Sequence, residues 1–353
     1  MRTKSRNLTR WNVIATALGG AAWTAVMLLR LASIVMLDDL NTILLLAVLV
    51  MTPLALPLAA PPAVPGRRLA ALGSALYQFA IIAQPLAALA GSVAILATTG
   101  SPLATLTAGL WLLYTSLLGL LGLVALARMA LARRLTLAGA CLELALVYLP
   151  IGGGWFALAR LGARPIGFSP TIVQLTAVHF HFITLAALVI TGCTGLALHG
   201  GQRRAMRRAM RIIIRAATVG VLAGPLLVAA GITLTQISSL DAPKSIAALH
   251  APEAGAAVLL ALSLMAVSLL SLGFIVPATV APLARVLLAI SDISVLLTMA
   301  LAVAYALGTV THAWTITIPQ MIAVHGWLNA LAFGLCGLLG WRLWRGAQPS
   351  GSE

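Results

Sequence analysis

The chain has 353 residues, of which 61% are hydrophobic and only 8% charged, whereas about a quarter of the residues of a soluble domain are charged. That composition excludes a soluble globular protein and makes lipid the main solvent of the folded chain. The formal charge of +15 would suit nucleic acid if it lay on one face, but the arginines punctuate apolar runs as membrane-flanking clusters do, which excludes nucleic-acid binding. Cys141, Cys193 and Cys336 lie inside apolar stretches without CxxC spacing, so neither a disulfide framework nor a zinc ribbon is indicated.

Apolar runs of 18 or more residues mark spanning helices, because in hydrocarbon a helix satisfies its own backbone. The first run, 11–36, follows a basic start but is too long for the apolar core of a signal peptide, which reads as a retained helix. Next come 41–61, with Pro53 and Pro57, and 69–98, where Gln84-Pro85 either kinks one helix or divides a short hairpin. Then follow 103–127, 135–158, 171–198, 212–235, 255–277, 286–310 and 321–343. The expected fold is all-α, a polytopic transmembrane helix bundle of about ten spans forming a single transmembrane domain over 1–353.

Loop charge sets orientation, since cytoplasmic loops collect Lys and Arg. Eighteen of the 22 basic residues fall on one set of ends and loops, from Arg2 through the run Arg203–Arg215 to Arg345, and Arg30, Arg160, Arg164 and Lys244 fall on the other. With ten spans, that split predicts a bacterial cytoplasmic (inner) membrane protein with both termini in the cytoplasm. The run from His199 to Arg211 predicts a basic helix at the inner surface, drawn to anionic headgroups. Residues 237–254, with Asp241, Lys244, His250 and Glu253, are expected to form the one sizeable exported loop.

Strongly polar side chains at a helix centre cost roughly 2.5–3.5 kcal/mol on insertion scales, so they should face the bundle interior or a cavity. They are Gln84, Glu143, Gln174, His179, His181, Asp292, His325 and Asn329. His179 and His181 stand about 200° apart on a regular helix. This spacing predicts that residues 174–184 are almost fully buried and that the pair cannot chelate one ion. His325 and Asn329, at i and i+4, share a face and an estimated depth with the helix-six histidines, which predicts one cavity in the exported half. Glu143 and Asp292 form a second polar level nearer the cytoplasm. Packing alone remains the alternative, since interhelical hydrogen bonds of this kind contribute about 0.6 kcal/mol each.

The segments Tyr148-Leu-Pro-Ile-Gly-Gly-Gly-Trp155, Arg160–Phe168, Thr171–Phe182 and His325-Gly-Trp-Leu-Asn-Ala-Leu-Ala-Phe-Gly334 resemble the YndJ-like family of bacterial membrane proteins. The resemblance implies the same helical fold and no defined activity. Some members carry a soluble C-terminal extension, and here the chain is expected to end soon after the tenth span without it. Separately, Val178-His-Phe-His-Phe182 is similar to the helix of heme-copper oxidases in which two histidines serve two hemes from opposite faces. The adjacent His-His pair and the His-x-x-x-Tyr segment of those enzymes are missing, which excludes a full oxidase site. A single heme, copper or other metal held by His179 or His181 with His325 stays open.

Three functions are compatible with these residues. The first, favoured by imidazoles on two faces of one helix, is a membrane-embedded enzyme or metal-dependent protein acting on a lipophilic small molecule, with His179, His181, His325, Asn329, Glu143 and Asp292 as acid, base or ligand. The second is a secondary transporter or proton-coupled exporter using the same groups. The third is a structural or sensory protein. Beyond the lipid bilayer and that small molecule, no partner or oligomeric state is legible.

Overall fold

The computed structural model describes residues 2–59, 68–201, 208–241 and 246–348. Among them there is no strand, and ten helices are long and apolar enough to cross a membrane: α1 (Asn7–Leu31), α2 (Asp39–Ala59), α3 (Leu69–Leu96), α4 (Pro102–Leu131), α5 (Leu137–Leu161), α6 (Pro170–Leu198), α7 (Arg208–Ser238), α8 (His250–Ile275), α9 (Pro282–Thr311) and α10 (Ile318–Gly346). The polytopic all-α bundle is therefore the fold, with each span within a few residues of its predicted place.

Two local expectations change or resolve. Residues Arg68–Leu96 form one helix with Pro85 inside it, so the hairpin alternative for the third span is gone. The stretch 237–254, expected as an exported loop, is largely helix instead: the α7 helix runs on to Asp241 and the next begins at Ile246. The stretch holds two prolines: Pro243 falls between the two helices, and Pro252 lies inside the second of them. Asp241 and Lys244 belong to the part whose side chains lie outside the described residues, as do Arg203, Arg204 and Arg207 of the basic run, whereas His250 and Glu253 pair at 2.6 Å.

Several span starts are written locally. Ser101 before Pro102 and Ser169 before Pro170 each accept a backbone N–H of the first turn, and Thr317 forms a capping box with Gln320. On α4 the apolar surface separates into two stripes. Leu103, Leu106, Leu110 and Leu113 are exposed, as lipid-facing residues should be, while Ala104, Ala108, Trp111, Thr115 and Leu118 are buried. Both stripes are largely apolar, and they differ in size: the exposed one is made of leucines, whereas the buried one mixes Ala104, Ala108 and Thr115 with Trp111 and Leu118.

By internal contacts the chain divides into two compact units, residues Met1–Thr136 with Leu142–Leu185, and Leu137–Cys141 with Ala186–Glu353. In the first, α2 is the central helix, with 89% of its apolar stretch buried against 11% for α1. It is interrupted by a π turn at Ala47–Met51. Ala47 O accepts both the backbone N–H and the Oγ1 of Thr52 (2.9 Å to Oγ1), and Pro53 O, which Pro57 at i+4 cannot bond because it has no N–H, accepts instead from Asn12 Nδ2 (2.9 Å). Asn12 is buried on α1 and its contribution was not apparent from its position near a basic N-terminus.

In the second unit α9 packs along α10. Residues Ile322–Gly326 and Leu328–Leu335 of α10 are π-helical. Ser291 Oγ donates to Phe333 O at 2.8 Å and Ser294 Oγ to Leu328 O at 3.2 Å. With Thr298, these hydroxyls stand at i, i+3 and i+7, one stripe of α9 that supplies donors to the widened turns of its neighbour.

Candidate functional site

His181 lies in the first unit and is fully buried. Trp111 Nε1 on α4 donates to its Nε2 at 2.9 Å, and its Nδ1 lies 2.7 Å from Ala177 O. Because the indole only donates and the carbonyl only accepts, the imidazole is the neutral Nδ1–H tautomer with both nitrogens engaged. The two rings are near-parallel, 6.0 Å apart, and Trp111 in turn meets Tyr114 at 5.6 Å. The Gly-Gly-Gly of α5 makes this approach geometrically feasible. A Cβ on Gly152 would sit 2.9 Å from His181 Nδ1, and one on Gly153 would collide with Thr115 Oγ1.

His179 departs from the expectation. It is exposed, and its Nδ1 donates to Leu175 O at 2.8 Å. The predicted near-complete burial of residues 174–184 is met at Ala177, Val178, Phe180, His181 and Thr184, but Gln174, Leu175, Thr176, Phe182 and Ile183 are only half-buried and His179 is exposed. The helical angle separating the two histidines was correct. The assumption that both faces must be covered was not, since a histidine can bond its own helix and present the rest of its ring outward.

In the second unit, His325 Nδ1 donates to Thr298 O at 3.0 Å, Thr298 Oγ1 donates to Asn329 Oδ1 at 2.9 Å, and Asn329 Nδ2 donates to His325 O at 2.9 Å. His325 and Asn329 thus share a face as the spacing implied, and their bonds join α10 to α9. Gln84 is buried and Gln174 half-buried, with no partner for Gln174 Nε2.

The carboxylates are different in kind. Glu143, in the first unit, is 2% exposed and its Oε2 has no hydrogen-bond partner. The guanidinium of Arg128 on α4 supplies the nearby positive charge, and Gly122 lets α4 approach α5 at the Glu143 backbone. Asp292, in the second unit, is also 2% exposed. Ser271 and Ser268 of α8 stand beside its carboxyl, yet Oδ2 is left without a partner. Ser271 opens the π turn Ser271–Ile275. The sequence reading missed Trp111, Arg128, Ser268 and Ser271. An arginine at a span end reads as a topology signal, and serine is too common in membrane helices to stand out.

A metal centre finds little support in either unit. Among the described residues no group of three or more His, Cys, Asp and Glu side chains is placed to hold a metal ion, and His181 would have to give up its bond from Trp111 or to Ala177 to act as a ligand. The profile of the YndJ-like proteins matches residues 42–333, most of the membrane-spanning chain. The chain belongs to the YndJ-like family. A relative from Bacillus subtilis (strain 168), described as an uncharacterized membrane protein YndJ, is 29% identical over 200 residues, which are 56% of this chain and 32% of that protein. The match thus spans about a third of the relative's length. No solved structure matches this YndJ-like chain.

Proposed function

We propose that this YndJ-like protein is a proton- or cation-coupled secondary transporter of the bacterial cytoplasmic membrane, with both termini in the cytoplasm. The observation that carries the reading is the presence, in each unit, of a buried carboxyl with an oxygen that no donor satisfies, Glu143 Oε2 and Asp292 Oδ2. An ionised carboxylate in that setting costs several kcal/mol. It is retained where the group takes up and releases a proton or a cation during a cycle. The π turns in α2, α6, α8 and α10 support the same reading. Such turns inside a helix are frequent at functional sites. The cytoplasmic placement of the termini rests on the 18 to 4 distribution of basic residues.

A test uses the full-length protein in vesicles loaded with a pH-sensitive dye, with a potassium-diffusion potential to drive protons inward. Wild type should acidify the lumen faster than empty vesicles, and E143Q and D292N should not. Wild-type flux that neither variant alters would sink the reading. Reporter fusions after Ala251 and Gly346 check orientation separately, and the two should lie on opposite sides.

The enzyme reading, with a lipophilic substrate, keeps one supporting observation. His179 is exposed, and its Nε2 has no partner among the described residues, so it could exchange a proton with a bound molecule. In that case H179Q would abolish activity and leave folding normal.

A further inference from the structure

The second unit carries a trough of about 470 Å³ between α7 and α8, lined by Ile212, Arg215, Ala216, Val219, Gly220 and Leu259, with Ala223. It exists because the two helices cross closely: a Cβ on Gly220 would strike Ser263 Oγ, and one on Gly224 would crowd Leu260. Small residues at Ala216, Gly220 and Ala223 leave the flank of that crossing shallow and apolar. Arg215 is the charged member of the lining.

The charge around it is of one sign. Arg208 and Arg211 precede Arg215 by seven and four residues, hence on the same helix face, and all three are exposed. The chain has seven carboxylates, and those described are engaged or buried elsewhere. Asp38 caps α2, Asp39 pairs with Arg30, Glu253 pairs with His250, and Glu143 and Asp292 are in the sites above. Asp241 ends the same helix, some 26 residues and so about 39 Å beyond Arg215. Among the described residues no acid neutralises the three arginines.

We propose that this trough binds one anionic phospholipid, its acyl chain lying along Ala216, Val219, Gly220 and Leu259 and its phosphate held by Arg215 with Arg211. A guanidinium suits this role because its fork of donors meets phosphate oxygens two at a time. The trough supplies the hydrophobic half, which a basic patch alone lacks. In the orientation proposed above, the lipid belongs to the inner leaflet, but the site itself does not depend on the transport reading.

The test is native mass spectrometry of the full-length protein titrated with dioleoyl phosphatidylglycerol or dioleoyl phosphatidylcholine, with thermal denaturation in detergent as the folding control. One phosphatidylglycerol should bind preferentially. R211Q and R215Q should each weaken it roughly fivefold, from about 1 kcal/mol per arginine at an anionic surface, and should bring the double variant to the level of phosphatidylcholine. A216F, which fills an exposed trough rather than a core position, should weaken phosphatidylglycerol with both arginines intact. Equal binding of the two lipids by wild type overturns the proposal. So does phosphatidylglycerol binding that survives A216F, which would reduce the site to headgroup adsorption. Displacement by millimolar inorganic phosphate alone would make it a free-anion site. A lipid-free dimer broken by A216F would make it a contact between copies.

Discussion

His181 and Asp292 are both deeply buried polar groups in the middle of spans, and they are treated in opposite ways. Around His181 the first unit supplies a complete set of partners: Trp111 donates to one nitrogen, Ala177 accepts from the other, and Gly152 clears the space for the ring. Around Asp292 the second unit supplies serines on one side and leaves Oδ2 without a donor. A satisfied buried group holds helices in register, whereas an unsatisfied one retains a capacity to bind something else. The contrast reverses the order of interest given by residue type, in which the histidines rank above the carboxylates.

The largest expected effect is on activity at the unsatisfied sites. E143Q and D292N should bring vesicle proton flux to background while moving the thermal midpoint in detergent little, because an amide of the same shape replaces an unpaired carboxyl oxygen. A large loss of stability in D292N with flux retained would erase the distinction between the two regions. At the satisfied site the balance should invert. H181A should cost roughly 3 kcal/mol, as it empties a buried site and orphans the Trp111 indole N–H, which thermal denaturation in a mild detergent would register.

G152A sharpens the same point with one methyl group. Its Cβ would stand 2.9 Å from His181 Nδ1 and 3.2 Å from the His181 backbone nitrogen, so about 1–3 kcal/mol of overpacking is expected, and G154A, where nothing lies within 4 Å, should show no such loss. T298A removes the hydroxyl between α9 and Asn329 and should cost about 0.6 kcal/mol, the usual worth of one interhelical hydrogen bond in a bilayer. A loss of several kcal/mol there would mean that the α9–α10 seam, not the His181 region, is the rigid part. The smallest change belongs to H179Q, under about 0.5 kcal/mol, as for other exposed positions. A larger value would show that His179 is covered in the membrane.

Much of the candidate site was visible as a set of residue types and little of it as an arrangement. The positions of Glu143, Asp292, His181 and Asn329 follow from counting polar residues inside apolar runs, and the shared face of His325 and Asn329 follows from helical spacing, as observed. Partners were hidden because they come from other helices: Trp111 is 70 residues from His181, and the Ser268 and Ser271 hydroxyls reach Asp292 from the preceding span. The exposure of His179 was hidden too, because periodicity separates two faces of a helix without saying whether each face is covered.

Composition and hydropathy by themselves determined the all-α fold and its ten spans, because hydrocarbon admits only helices that close their own hydrogen bonds and fixes how long they must be. Those are local requirements, met within one run of sequence. Which polar groups are saturated and which are left open is a property of tertiary packing. It depends on where the Gly152 and Gly122 close approaches bring α5 to its neighbours, and on which side chains meet the π turns of α2, α8 and α10. In a chain whose exposed and buried stripes are both largely apolar, hydrophobicity distinguishes a covered face from an open one poorly; size, close approach and hydrogen-bond partners tell them apart.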